Sequence, residues 1–212
     1  MRHSGAFVAV SESFERVVQR LLSSENPYLI QLCIKWLDKF MKQITEAGAS
    51  ITRRSGGLPK GILAIVGKTD YGRKFLLGNV MKELFNIAKL PVTPNRNTDT
   101  VDMPQVHAVN VIKAIIHDTN SSGEAPKYFA EALEICIGGF SSLYFPIRNG
   151  SMMLFAALIN KMFGAKKLSP DSITSAKVGG KAFFTKYPSL YSLFLATMTA
   201  ATTDLSMVTN PC

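Results

Sequence analysis

The sequence predicts an all-α fold, and three observations carry this prediction. Apolar residues recur at three- and four-residue intervals along most of the 212 residues. Strand signals are nearly absent, since no Asn-Gly or Asp-Gly hairpin lies between alternating runs. Prolines stand at the front of the periodic runs, where a first helical turn has no use for the missing N–H: Pro27, Pro59, Pro104, Pro126, Pro146 and Pro188. Many helices joined by tight corners indicate an armadillo- or HEAT-like α-solenoid segment, with a closed helical bundle as the alternative.

About eight helices are predicted, and the apolar positions define them in order. They span residues 7–23, 27–46, 58–68, 72–89, 104–118, 126–140, 145–163 and 187–203. The faces of the first, second, fourth and fifth are, helix by helix, Phe14, Val17, Val18, Leu21 and Leu22; Leu29, Leu32, Cys33, Trp36, Leu37, Phe40 and Ile44; Leu77, Val80, Met81, Leu84 and Ile87; and Val106, Val109, Ile112, Ile115 and Ile116. The sixth, seventh and eighth predicted helices each have a proline within their first two residues.

The third helix, 58–68, has a competing interpretation. Gly61-Ile-Leu-Ala-Ile-Val66 is a short β-branched run that could form a buried strand. Pro59 in front of the run and the helix-length spacing after it favour a helix. The run continues into Gly67-Lys68-Thr69, which resembles a phosphate-binding loop. Because five residues separate the two glycines where such a loop needs four, nucleotide triphosphate binding is not predicted.

Two longer connections interrupt the helices. Residues 90–103 contain prolines, asparagines and alternating Thr and Asp, which predict an exposed loop. Residues 165–181 form a second loop that is basic and carries glycines. This second loop could lie along a phosphate backbone, or it could simply be a solvated loop.

Composition indicates a folded, basic protein. Hydrophobic residues make up 47% of the chain and charged residues 18%, which excludes a disordered tail and suits one domain, 1–212. The net charge is +9, and residues 51–100 alone carry nine Lys or Arg against three Asp or Glu. Clustered cations favour RNA or an acidic protein as a partner, although a soluble protein that happens to be basic explains the charge equally well.

The cysteines and the hydropathy pattern indicate a location inside the cell. Cys33, Cys136 and Cys212 are too scattered for a disulfide framework or a metal site. No run of 18 apolar residues is present, and the first residues lack the layout of a signal peptide. We therefore expect a cytoplasmic protein without membrane association.

No catalytic constellation is recognisable in the sequence. A glycine-rich dinucleotide or methyl-donor fingerprint and a Gly-x-Ser-x-Gly elbow are both missing. His107 and Asn110 lie three residues apart on one predicted helix face, where a structural polar pair is favoured over a catalytic role. The chain is therefore predicted to be non-enzymatic and to bind neither a metal nor a cofactor.

One segment, Thr52 to Pro59, does predict a binding site. It contains two arginines, Arg53 and Arg54, the hydroxyl group of Ser55, two glycines and a helix-starting proline. Together these groups are suited to bind an anion at a helix N-terminus. Alternatively, the arginines brace a corner by donating to helix C-terminal carbonyls. The residues alone leave both open. A second segment, Tyr144 to Asn149, places an aromatic pair before an arginine and an asparagine in a first helical turn. For its Arg148 a buried bracing role is favoured.

Several ordered motifs carry a resemblance to one family. They are Arg2-His3-Ser4-Gly5-Ala6-Phe7; Arg53-Arg54-Ser55-Gly56-Gly57-Leu58-Pro59; Pro104-Gln105-Val106-His107-Ala108-Val109-Asn110; Ile147-Arg148-Asn149; Leu154-Phe155-Ala156-Ala157-Leu158-Ile159; Phe163-Gly164; and Phe183-Phe184-Thr185-Lys186-Tyr187-Pro188-Ser189-Leu190-Tyr191. Together they resemble the conserved central domain of the thyroid adenoma-associated protein (THADA) family. The resemblance covers nearly the whole chain.

The resemblance implies an auxiliary subunit of a tRNA ribose methyltransferase. A separate catalytic subunit would bind S-adenosylmethionine, while this chain helps it to 2′-O-methylate the first nucleotide of the anticodon loop. The anticodon stem-loop and the catalytic subunit are thus the implied partners. As sites for tRNA or the partner, the resemblance implies Arg53, Arg54, Ser55, Gly57 and Pro59. As structural motif positions, it implies His107, Asn110, Arg148 and Asn149. A protein–protein scaffold without an RNA role is the alternative.

The sequence departs from the family pattern in three places and in length. The family usually has Ala at Gly56, an aromatic and a second apolar residue at Lys60 and Gly61, and Trp-Ala at Phe145-Pro146. The first two departures are expected to loosen the helix that follows the arginines. Because family members are several times longer, the chain is expected to be part of a longer solenoid.

Overall fold

The computed structural model describes residues 4–46, 57–92, 103–118, 123–163 and 179–209, and every regular element within these ranges is helical. The α-helices are α1 (Ser4–Leu22), α2 (Pro27–Thr45), α3 (Gly57–Val66), α4 (Leu77–Ala88), α5 (Pro104–His117), α6 (Phe129–Phe140), α7 (Phe145–Phe163), α8 (Gly180–Lys186) and α9 (Ser189–Thr209). A π-helical turn, Gly72–Leu76, leads into α4, and a 3₁₀ turn, Ala125–Tyr128, leads into α6. The all-α prediction is confirmed.

The structure differs from the predicted helices in three places. The helix predicted over 72–89 is divided into the π turn and α4. The helix predicted over 126–140 starts as a 3₁₀ turn. The seven-residue helix α8 was not predicted, because so short a segment has no readable apolar period. Residues 93–102 of the predicted loop 90–103 and residues 165–178 of the predicted loop 165–181 lie outside the described residues.

The chain divides into two compact units, residues 1–162 and 163–212, and α3 lies at the centre of the first. Helix α3 packs against α1, α2 and α5 and against the π turn. Ile62, Ile65 and Val66 are fully buried, and only Gly57 and Lys60 of this helix are exposed. A helix that is apolar on nearly every side must be covered on every side, so its neighbours are arranged around it. The prediction of a single domain over 1–212 stays a prediction.

An aromatic cluster joins α1 and α2 and supports α3. The ring centroid of Phe14 lies 5.6 Å from that of Trp36 and 5.9 Å from that of Phe40. The Phe40 ring reaches α3 at Gly61, where a Cβ atom would come within 3.0 Å of two ring carbons. Gly61 therefore allows the aromatic ring of α2 to pack directly on the backbone of α3.

Gly72 allows an even closer contact between α3 and the π turn. A Cβ atom at this residue would lie 2.0 Å from the carbonyl oxygen of Ile65, which no side chain can occupy. The hydroxyl of Thr69 accepts a hydrogen bond from the Gly72 N–H (3.0 Å) and holds the turn in this position. The backbone itself is thus the contact surface between these two elements.

Aromatic side chains form the core of the second unit, where α8 and α9 pack together. The ring centroid of Phe183 lies 5.7 Å from that of Phe163, 5.4 Å from that of Tyr187 and 6.3 Å from that of Phe194. Tyr187 and Leu190 are buried. Ring-to-ring contacts thus connect α8 to α9.

Both described cysteines, Cys33 and Cys136, are free thiols in the core of the first unit. Burial raises the pKa of both thiols above the ordinary value of 9.0, and that of Cys136 to about 12. Within the described ranges, no helix combines the length and apolar character that crossing a bilayer requires.

Replacing Gly72 by alanine should destabilise the protein, whereas the same change at Gly78 should not. Gly72→Ala forces the π turn away from Ile65 at a cost of about 1–3 kcal/mol. Gly78→Ala meets nothing closer than the Tyr128 hydroxyl at 3.8 Å and should stabilise α4 by about 0.5 kcal/mol. Urea unfolding followed by circular dichroism measures both. Equal free energies of unfolding for the two variants would contradict the close contact at Gly72.

Stability should fall at alkaline pH because burial raises the pKa of Cys136 in the folded state to about 12. Below pH 9 both states hold the proton and this thiol adds no pH dependence. Between pH 9 and about 12 the unfolded chain binds fewer protons, so the free energy of unfolding decreases by about 1.4 kcal/mol per pH unit. Urea titrations at several pH values should show a shallower decrease for Cys136→Ala than for the unsubstituted protein. Parallel decreases would contradict the burial of this thiol.

Candidate functional site

The predicted anion site lies at the start of α3. Arg53, Arg54 and Ser55 are outside the described residues. Gly57 is exposed and is the first residue of α3, and Pro59, its third, is half-buried. The motif is therefore followed in the sequence by a helix in which six of ten residues are buried. Free N–H groups at a helix start favour anions, so this location is compatible with the predicted site, whose role stays a prediction.

Helix α3 is regular from its first residue, despite the two departures from the family pattern. Lys60 is exposed, and Gly61 is covered by the ring of Phe40. The aromatic side chain from α2 thus fills the volume that a larger residue at position 61 would occupy. Leu58, buried next to Gly57, anchors the first turn of the helix.

An ion pair fixes the other end of α3. Lys68 Nζ lies 2.6 Å from Oδ1 of Asp118, which caps the end of α5, and the two side chains are 18% and 5% exposed. Little water can therefore screen the two charges. The pair ties the turn after α3 to the helix that carries His107 and Asn110, both of which are half-buried. A structural role for these two residues stays a prediction.

Arg148 holds the corner between α6 and α7. Its Nη1 atom donates a hydrogen bond to the carbonyl oxygen of Ser142 (2.6 Å), and its guanidinium carbon lies 5.9 Å from the ring centroid of Phe145. Phe145 is 67% exposed and Asn149 is exposed. The arginine thus braces a corner whose outer surface presents an aromatic ring and an amide.

A cavity of about 350 Å³ lies beside this corner. Its walls come mainly from α5, α6 and α7 and include Val106, Val109, Ile135 and Ile147. Ser151 is buried beside Gly139, and its hydroxyl has no hydrogen-bond partner among the described residues. The wall is largely apolar, although Lys89, Gln105 and Glu134 also line it, and such a wall suits a ligand with an apolar group.

Sequence reasoning missed an aromatic and basic cluster on the π turn. The ring centroids of Tyr71 and Phe75 lie 5.1 Å apart, and Lys74 Nζ lies 5.3 Å from the centroid of Phe75. Arg73 Nη1 donates to the carbonyl oxygen of Gly67 (2.7 Å). The available signal was the pair Tyr71 and Phe75, four positions apart with Arg73 and Lys74 between them. The same spacing also suits an ordinary helix, so it does not single out a surface cluster.

Two family models together match almost the whole chain. Residues 1–146 match the model described as THADA/TRM732, DUF2428, and residues 148–211 match that described as Trm732, C-terminal TPR repeats. The chain belongs to the THADA/TRM732 family. The resemblance found in the sequence is thereby confirmed. Because TPR repeats are helix pairs that stack into solenoids, the predicted solenoid class is confirmed as well.

Individual members of the THADA/TRM732 family are similar to this chain along nearly its whole length. The tRNA (32-2′-O)-methyltransferase regulator trm732 of Schizosaccharomyces pombe is 36% identical over 214 residues, which cover 100% of this chain and 14% of the relative. The tRNA (32-2′-O)-methyltransferase regulator THADA of Homo sapiens is 33% identical over 199 residues, which cover 92% of this chain and 10% of the relative. The corresponding regulator of Drosophila melanogaster is 26% identical over 211 residues, which cover 93% of this chain and 12% of the relative. The chain therefore spans about a seventh or less of these relatives. No solved structure matches the chain.

Breaking the ion pair at the end of α3 should destabilise the first unit. Lys68→Met leaves the buried Asp118 carboxylate without its ammonium and should cost about 1.5–3 kcal/mol. Lys89→Met is the matched control, since Lys89 pairs with Glu131 at 2.6 Å on the surface, and should cost less than about 1 kcal/mol. Chemical unfolding measures both. A cost for Lys68→Met no larger than that of the control would contradict the structural importance of the pair.

Proposed function

We propose that this chain is part of a non-catalytic regulator of a tRNA 2′-O-methyltransferase. The observation that carries the proposal is the similarity to the Schizosaccharomyces pombe regulator along the entire chain at 36% identity. The human and Drosophila relatives bear the same description. The reaction would modify the ribose of nucleotide 32, the first of the anticodon loop.

The proposal divides the work between two proteins. The catalytic subunit binds S-adenosylmethionine and transfers the methyl group, while this chain contacts that subunit and the tRNA anticodon stem-loop in the cytoplasm. Charge supports an RNA partner, because residues 51–100 carry nine cations against three carboxylates. Such an excess attracts a polyanion and makes its binding sensitive to salt.

Arg53, Arg54 and Ser55 are the proposed contacts with tRNA or with the catalytic subunit, and Gly57 and Pro59 lie in the first turn of α3, which follows them in the sequence. A guanidinium group can bind two phosphate or carboxylate oxygens at once. Helix α3, which follows the motif in the sequence, packs against α1, α2, α5 and the π turn.

A protein scaffold without an RNA role is the second candidate, and one surface favours it. Leu143, Phe145 and Met152 are exposed around the α6–α7 corner. Neighbouring exposed apolar side chains of this kind are typical of protein contacts. Competition between tRNA and heparin separates the candidates, since a scaffold would show no preference for tRNA.

Replacing Arg53 and Arg54 by alanine should lower methylation at nucleotide 32 by about tenfold or more, because each charged hydrogen bond lost costs about 1.5–3 kcal/mol. The assay co-purifies the chain with the host methyltransferase and measures 2′-O-methylation of unmodified tRNA by mass spectrometry. Arg16→Ala with Arg20→Ala, on the exposed side of α1, is the matched control and should leave methylation unchanged.

Two results would contradict the proposal. Full methylation by the Arg53 and Arg54 variant would show that the motif has no functional contact. Failure of the folded, unsubstituted chain to associate with the methyltransferase would remove the regulator assignment itself.

A further inference from the structure

The π turn Gly72–Leu76 exposes an aromatic ring, that of Phe75, next to the ammonium group of Lys74. Phe75 is 55% exposed, and Tyr71 lies behind it with a ring-centroid distance of 5.1 Å. Lys74 is exposed, and its ammonium group lies over the Phe75 ring rather than against a carboxylate. A single exposed aromatic ring is ordinary on a protein surface. Here an aromatic pair lies next to a cation that has no carboxylate partner among the described residues, and this is the arrangement that binds unpaired nucleotides.

The segment is held rigidly, as a preformed binding surface requires. Gly72 lies against the Ile65 carbonyl and donates to the Thr69 hydroxyl (3.0 Å), and Arg73 Nη1 donates to the Gly67 carbonyl (2.7 Å). Several independent contacts therefore fix the backbone beneath the Phe75 ring. The turn is also π-helical, a rare geometry that often marks functional sites.

Charges beside the rings favour an anionic partner. A polar groove next to the turn is lined by Asp70, Arg73, Lys74, Glu124 and Lys127. Asp70 pairs with Arg73, and Glu124 pairs with Lys127. The remaining charge is that of Lys74, whose flexible side chain can move from the ring to a phosphate oxygen and expose the ring face.

We infer that the π turn is a stacking platform for a single-stranded segment of RNA: an unpaired base stacks on Phe75, backed by Tyr71, while Lys74 binds the adjoining phosphate. This inference rests on the proposed function and adds a second RNA contact to it, at the π turn that follows α3. An aromatic platform reads bases by their flat faces, so the contact tolerates any base sequence.

The test measures RNA affinity with a fluorescently labelled oligouridine of about ten nucleotides, a length in the range of single-strand sites. Phe75→Ala should weaken binding by about five- to a hundredfold, because one stacked base is lost. Lys74→Gln should weaken binding less and should also reduce its salt dependence. Tyr28→Ala removes an aromatic side chain that is 86% exposed on α2 and serves as the matched control, with unchanged affinity.

A second variant reports stacking directly. Phe75→Trp should retain affinity, and its added fluorescence should be quenched by the oligouridine, whereas the unsubstituted protein shows only the half-buried Trp36. Quenching together with the loss in Phe75→Ala supports the platform. Equal affinity of Phe75→Ala and the unsubstituted protein overturns it, as does the absence of quenching.

The methylation assay with the catalytic subunit separates this inference from the proposed function. If the unsubstituted chain supports methylation and Phe75→Ala binds RNA normally, the platform is wrong and the regulator assignment stands. If Phe75→Ala loses methylation but keeps RNA affinity, the ring contacts protein, which also overturns the platform. If the unsubstituted chain neither binds RNA nor supports methylation, both are wrong.

Discussion

Burial of α3 on all sides is the constraint on which the rest of the first unit depends. A ten-residue apolar helix can be covered only if its neighbours approach closely, and two glycines make this possible. Gly61 admits the Phe40 ring, and Gly72 admits the backbone of the π turn. The π turn that carries Phe75 packs against this helix, which is about 15 Å long. The position of the π turn is therefore set by the core rather than by the surface.

Most of the helical structure could be predicted from sequence because apolar periodicity and proline positions are local signals. The third helix was distinguished correctly from a strand by Pro59 and by the spacing behind it. The π turn could not be predicted, since one inserted residue barely disturbs an apolar period. Gly72 is the residue in the sequence that the π turn requires, because its backbone lies against the carbonyl oxygen of Ile65. A glycine in a sequence does not by itself indicate which backbone atom it will contact.

The candidate site was less predictable than the fold. The arginine motif came from resemblance to a family, because physical reasoning left an anion site and a structural brace equally open. Lys68 and Asp118 are 50 residues apart, so no local pattern pairs them. The Phe75 surface depends on which side of a helix stays uncovered, and that is decided by the neighbouring elements. Local sequence specifies helices well, but it does not specify their contacts.

The contact between Gly61 and Phe40 means that these two positions share one volume. A ring on α2 fills the space that a side chain on α3 would otherwise take, and a Cβ atom at position 61 already comes within 3.0 Å of that ring. A family member with a larger residue at position 61 therefore needs a smaller residue at position 40, or a wider separation of α2 and α3. We expect substitutions at these two positions to occur together in the family, because either substitution alone gives a less stable protein.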